Sequence, residues 1–175
     1  MNLTLKLTLN LTTKLKFLLL MATLFTTANL QADTFEQNCK IMGEDDVVQM
    51  TVELNTENLL HRVTAFEEEN CQKPYLIFDR VYETPENQNQ VVSLVHLKSM
   101  YTPLSIEVAR AMNLIKYCGL RTWTMNQSQD VTGKKCDDFQ QLSAGEKTEL
   151  SVTFQPDFIY FDNAHDPIPY ALKRL

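Results

Sequence analysis

Apolar and polar residues alternate with a period of two in two separated stretches, and this pattern restricts the chain to half-buried antiparallel strands. Val48, Met50, Val52 and Leu54 alternate with Gln49, Thr51 and Glu53, and Leu150, Val152 and Phe154 alternate with Glu149, Ser151 and Thr153. Successive side chains of a strand point to opposite faces, so such runs place one face in a core and the other in water. Asn55-Thr56-Glu57-Asn58 is a polar interval suited to a hairpin leading into a strand from about Leu59 to Glu67. Further strands are expected at about Tyr75 to Tyr82, Val91 to Lys98 and Leu120 to Met125, with Phe158 to Phe161 returning after a Pro156-Asp157 turn. Seven or eight short strands predict a mainly β fold, a small antiparallel domain. One stretch breaks the alternation: Leu104, Val108, Ala111, Met112 and Ile115 share a helical face, with Thr102 suited to the cap and Pro103 to the first turn. Its amphipathic stripe suits a helix that covers one end of the barrel or sheet.

The amino-terminal residues 1–32 have the order of an export signal. Lys6, Lys14 and Lys16 precede an apolar run from Phe17 to Phe25, and small residues lead to a cleavage point after Ala32, with Ala28 as a second candidate. A membrane anchor would need about 20 apolar residues, and this run is roughly half that. No later stretch is long enough to span a bilayer, so no stable membrane span is expected after cleavage. The remaining residues 33–175 have room for one domain and contain no Gly, Pro or Ser-rich linker. All four cysteines, Cys39, Cys71, Cys118 and Cys136, lie in that portion. In an exported chain, periplasmic or extracellular, they point to two structural disulfides, and four cysteines allow three pairings. Local closure favours Cys39 with Cys71 and Cys118 with Cys136. No CxxC pair supports redox exchange, and His61, His96 and His165 are not spaced with the cysteines as a zinc site.

Charge excludes one class of partner. Removing residues 1–32 takes away Lys6, Lys14 and Lys16 and no acid, which moves the formal charge from −6 to −9. Nucleic-acid surfaces are built from clustered Lys and Arg, so no nucleic-acid partner is expected. Glu44-Asp45-Asp46 and Glu67-Glu68-Glu69 read as solvated turns rather than cation sites. The only glycines, Gly43, Gly119, Gly133 and Gly145, are too dispersed for a phosphate-binding loop.

Several scattered positions carry a resemblance. Cys118-Gly119 followed by Trp123, then Asp130-Val131-Thr132-Gly133 and Cys136, together with Asp157-Phe158-Ile159-Tyr160-Phe161 and Asn70-Cys71-Gln72-Lys73-Pro74, resembles uncharacterised exported bacterial proteins with a lipocalin-like (calycin) β-barrel. The resemblance implies that the strands close into a small antiparallel β-barrel, with an apolar pocket as one option, and it transfers no catalytic residue.

Enzymatic activity is not expected. The chain has no GxSxG nucleophile elbow, no HExxH and no cysteine free of pairing, and no metal or other cofactor is expected. Asp162-Asn163-Ala164-His165-Asp166 groups oxygen ligands with an imidazole, but reads as a polar turn stopped by Pro167 and Pro169. For ligand binding the candidates are four. His96 shares strand parity with Val92 and Leu94, so it points inward if that face lines a barrel, either as a ligand contact or as a hydrogen-bonded core histidine. Arg62 and Arg80 lie in apolar-rich strands and suit the gripping of a carboxylate, or face outward. Trp123, with Met125, supplies aromatic bulk for a pocket or for an ordinary core. The expected function is that of an exported, non-enzymatic binding protein holding a small apolar or lipid-like ligand. The alternative is a protein-interaction module, an inhibitor or effector, with a filled core.

Overall fold

The computed structural model describes residues 32–42, 46–85, 92–163 and 166–175. The expected export signal therefore lies outside the described residues except for Ala32, as do Glu44, Asp45 and His165. Among the described residues there are eleven strands: β1 (Asp33–Met42), β2 (Asp46–Leu54), β3 (Asn58–Phe66), β4 (Pro74–Glu83), β5 (Val92–Pro103), β6 (Gln129–Asp130), β7 (Lys135–Cys136), β8 (Phe139–Gln140), β9 (Lys147–Phe154), β10 (Phe158–Asn163) and β11 (Asp166–Arg174). One α-helix, α1 (Ile106–Ile115), follows β5.

Pairing runs β4-β3-β2-β1-β11-β10-β9-β5, and β4 also pairs with β5, so eight antiparallel strands return to their start as a ring. The expected small antiparallel barrel with one helix and two disulfides is the observed architecture. The first hairpin forms where the polar interval lies: Asn55 Oδ1 accepts from the backbone N–H groups of Glu57 and Asn58, each at 2.9 Å. Such a side-chain turn supplies locally the bonds that the chain loses on leaving the ladder.

The inward faces follow from the register. Phe35, Val52 and His61 stand opposite one another on β1, β2 and β3. Leu54, Leu59 and Tyr82 form the neighbouring row. These residues join Met50, Leu94, Val152, Ile159, Phe161 and Leu172 in the buried interior.

Three sequence expectations are corrected. Thr102 and Pro103 do not open the helix but end β5, opposite Ile77 and Leu76. The cap is Ser105, whose Oγ accepts from the Val108 N–H at 3.1 Å; α1 then buries Ala109 and Met112 and leaves Ala111 and Ile115 exposed. Leu120 to Met125 is not a strand. The Asn113 carboxamide takes both backbone groups of Trp123, donating to its carbonyl at 2.8 Å and accepting from its N–H at 2.9 Å. One side chain thus replaces a neighbouring strand. Finally, Pro167 and Pro169 do not stop the chain but lie within β11. Among the described residues β1 pairs with β11 only at Lys173 and Arg174, so the prolines sit where one edge of β11 requires no donor.

Both expected disulfides are present, Cys39–Cys71 and Cys118–Cys136. The first joins β1, at a break in its register with β2 between Gln37 and Lys40, to the β3–β4 loop. The second ties the 3-10 turn after α1 to β7. With it, Ala109, Met112, Trp123 and Val131 form a second buried cluster, against which Leu76 and Tyr101 pack from the ends of β4 and β5. No described helix is long and apolar enough to cross a membrane. Replacing Cys118 and Cys136 together by serine frees a loop with a sequence separation of 18 residues. It should lower unfolding free energy by about 3 kcal/mol in a urea titration. An unchanged midpoint would show that the second cluster is held without the bond.

Candidate functional site

The interior carries one polar row in an apolar surround. His61 on β3 is paired with Arg80 on β4, and Arg80 with Ser99 on β5. Alternation puts all three on the face occupied by Leu59 and Tyr82, and the Arg80 guanidinium lies over the Phe78 ring at 4.4 Å, two residues along the same face. Ser99 Oγ extends the row to the buried His96, 2.8 Å from its Nε2. His96 Nδ1 lies 3.1 Å from the Ser143 carbonyl, which only accepts, so Nδ1 carries the proton and Nε2 accepts from Ser99. Tyr82 meets the His96 ring edge-on, with centroids 5.8 Å apart.

His61 is the exception among these groups. It is buried, and neither ring nitrogen has a hydrogen-bond partner among the described residues. Its ring stacks on Phe161 of β10, with centroids at 5.0 Å and planes 21° apart. In the ring of eight strands β3 and β10 are diametrically opposite, so this stack spans the interior. Burial, reinforced by the positive charge of Arg80, pulls the His61 pKa down from 6.5 to about 3. The imidazole is therefore neutral at ordinary pH, offering one donor and one acceptor with nothing to satisfy either. Gln37, opposite Met50 on the next row, also has a buried Oε1 without a partner among the described residues.

The polar row separates two unlike halves. On one side Leu59 and Tyr82 are sealed, at 0% and 1% exposure. On the other, Val63, Ala65, Phe78 and Tyr101 face inward by register yet are only half-buried. Phe78 and Tyr101 stack there at 4.4 Å. Apolar walls ending on a few placed polar groups are the usual make-up of a small-molecule site.

Of the four residues singled out from sequence, two share this row: Arg80, and His96, whose ring nitrogens are both used within the chain. Arg62 alternates with His61 and so points outward, its guanidinium bound twice to Asp79, Nε to Oδ1 at 2.8 Å and Nη2 to Oδ2 at 3.0 Å. That carboxylate, by hydrogen bond first and charge second, raises the Arg62 pKa further. Trp123 is buried in the second cluster, its indole N–H donating to the Tyr117 carbonyl at 3.3 Å. Sequence reasoning missed His61 and Ser99. His61 shares parity with Leu59 and Val63, the same signal that picked out His96. Among the described residues no group of three or more His, Cys, Asp or Glu is placed to hold a metal.

The pKa of His61 makes a pH test. Below pH 6.5 the unfolded chain takes up a proton that the folded chain refuses until about pH 3. Stability should thus fall as pH drops through that window, by up to about 1.4 kcal/mol per pH unit from this group. His61→Leu removes the contribution, so urea midpoints of the variant should decline less steeply than those of the wild type, and parallel slopes would refute the sealed imidazole. With two orphaned polar atoms gone, the variant should also gain about 1 to 3 kcal/mol at neutral pH. No protein-family model and no curated protein matches this chain, so the functional reading rests on the interior row itself.

Proposed function

We propose that this chain is an exported, non-enzymatic binding protein that takes one small amphipathic molecule into its barrel. The apolar body would lie along Val63, Ala65, Phe78 and Tyr101, and the polar head would meet His61 and Arg80. The unpartnered imidazole of His61 carries this reading. A buried polar group without a hydrogen bond costs about 1 to 3 kcal/mol, and a ligand head that accepts from Arg80 and pairs with His61 would remove that cost. A carboxylate or a carbonyl-bearing head fits a cation beside a neutral donor and acceptor. An eight-stranded barrel has room for one small ligand or for side chains alone. The two disulfides fit an oxidising compartment outside the cytosol.

A second reading is favoured by the His61–Phe161 stack, which fills the interior at its own level. In that reading the barrel is a packed scaffold and function lies on its surface, as in an inhibitor or effector. The ligand reading places the stack as the floor of the half-open side.

A panel of straight-chain carboxylic acids and alcohols, followed by native mass spectrometry and thermal melting, separates the two. The ligand reading expects a one-to-one adduct and a raised melting temperature with the acids. Arg80→Met should weaken acid binding by about tenfold or more, with a smaller effect on alcohols. No adduct and no rise across the panel would leave the packed scaffold standing and overturn the ligand reading.

A further inference from the structure

The outer side of α1 has a composition unlike the rest of the chain. Ile106 is 50% exposed, Leu114 83% and Ile115 67%, an unusual concentration of large apolar side chains on one short helix. Ile106, Arg110 and Leu114 follow one another at helical spacing of four, so they form one solvent-facing line. Beside them is a concavity of about 430 Å³ lined by Arg110, Asn113, Leu114 and Arg121. Among the described residues neither arginine has an ion pair or hydrogen bond, and no carboxylate lines the concavity. The Asn113 carboxamide is occupied by the Trp123 backbone, which fixes the position of the Arg121 segment relative to the helix. Residues 104–125 contain Arg110, Lys116 and Arg121 against Glu107 alone, within a chain of formal charge −6.

We infer that this face docks on an anionic phospholipid surface. A lipid phosphate would sit between the Arg110 and Arg121 guanidiniums, which suit a phosphate oxygen pair. Leu114, Ile106 and Ile115 would enter the boundary between headgroups and acyl chains. Charge complementarity selects this occupant in two ways. The cationic patch is attracted to an anionic leaflet, and the acidic remainder of the chain is repelled by it, so approach is confined to one orientation. Exposed apolar residues among basic ones are the make-up of interfacial helices. The inference stands apart from the barrel ligand, since none of these residues lines the interior row.

The test is co-sedimentation of the full chain with vesicles of phosphatidylglycerol and phosphatidylcholine, against vesicles of phosphatidylcholine alone. Binding should require the anionic lipid and weaken in high salt. Each of Arg110→Gln and Arg121→Gln should cost about fivefold in affinity, and the pair about 25-fold. Both side chains are exposed, so folding is not at stake. Leu114→Trp adds an optical readout, because the only native tryptophan, Trp123, is buried; its emission should shift to the blue on anionic vesicles only. Binding that the double variant keeps, or no binding at all, overturns the inference. A self-associated form that the double variant dissociates without vesicle binding would assign the face to a second copy and likewise overturn it.

Discussion

The ring closes through β5, and the seven other strands of the ring depend on that closure. β5 is 12 residues long. Its first residues pair with β9, at Val92 with Val152 and Ser93 with Ser151, and its later ones with β4, from Tyr82 with His96 to Leu76 with Pro103. Without this strand β4 and β9 would both be open edges, each with a row of unpaired backbone groups. The edge that β9 leaves is taken up by β6, at Met100 with Asp130. His96 lies between the two partners, and the turn before β9 clasps it. Its N–H donates to the Glu146 carbonyl at 2.9 Å and its carbonyl accepts from Gly145 N–H at 2.7 Å. Gly145 has φ of +81°, a conformation that a side chain would strain. The imidazole and the backbone of His96 thus fasten the same junction, which is why this histidine serves the fold.

What was legible in the sequence depended on how local the cause was. The strands of the first hairpin and of β9 could be read because burial on one face writes a period of two into the residues. The disulfide pairing followed from proximity along the chain. The parity of Leu94 and His96 was visible as well, since both are buried on β5. The segment around Trp123 is no strand because its backbone partners come from a side chain on α1 ten residues earlier, and no local pattern announces that. The strand through Pro167 and Pro169 was hidden for the opposite reason: two prolines argue against a strand unless an edge is known to be free of a partner. Arg62 and Arg80 show the limit most plainly. They are neighbours in composition and surroundings, one β3 and one β4, and only the register puts one outside against Asp79 and the other inside against Phe78.

His61 is where the interior gives up stability, because a buried imidazole is left without a hydrogen-bond partner among the described residues. A leucine in its place would satisfy the apolar parity of β3, and the stack on Phe161 does not require nitrogen atoms. The chain instead holds a neutral imidazole next to a guanidinium, at a level where the interior passes from sealed to half-open. Local rules are violated in folded proteins mostly where something other than stability is served. The same step supplies the cation, since Arg80 is held over Phe78 rather than drawn out to solvent, and aromatic contact steadies a charge without neutralising it.

The second cluster answers the half-open side. Its members, Ala109, Met112, Trp123, Val131 and the Cys118–Cys136 bond, are few, and β6, β7 and β8 are two-residue strands. So small a core cannot order its loops by burial alone. It is ordered by a covalent bond, by the Asn113 carboxamide and by Ser105 at the start of α1, none of which depends on the barrel interior being full. Leu76 and Tyr101 then join cluster to barrel at the end where the inward wall is reachable by solvent. Because these three ties lie within the cluster itself, the exposed line of Ile106, Arg110 and Leu114 is presented on an element held independently of the barrel core.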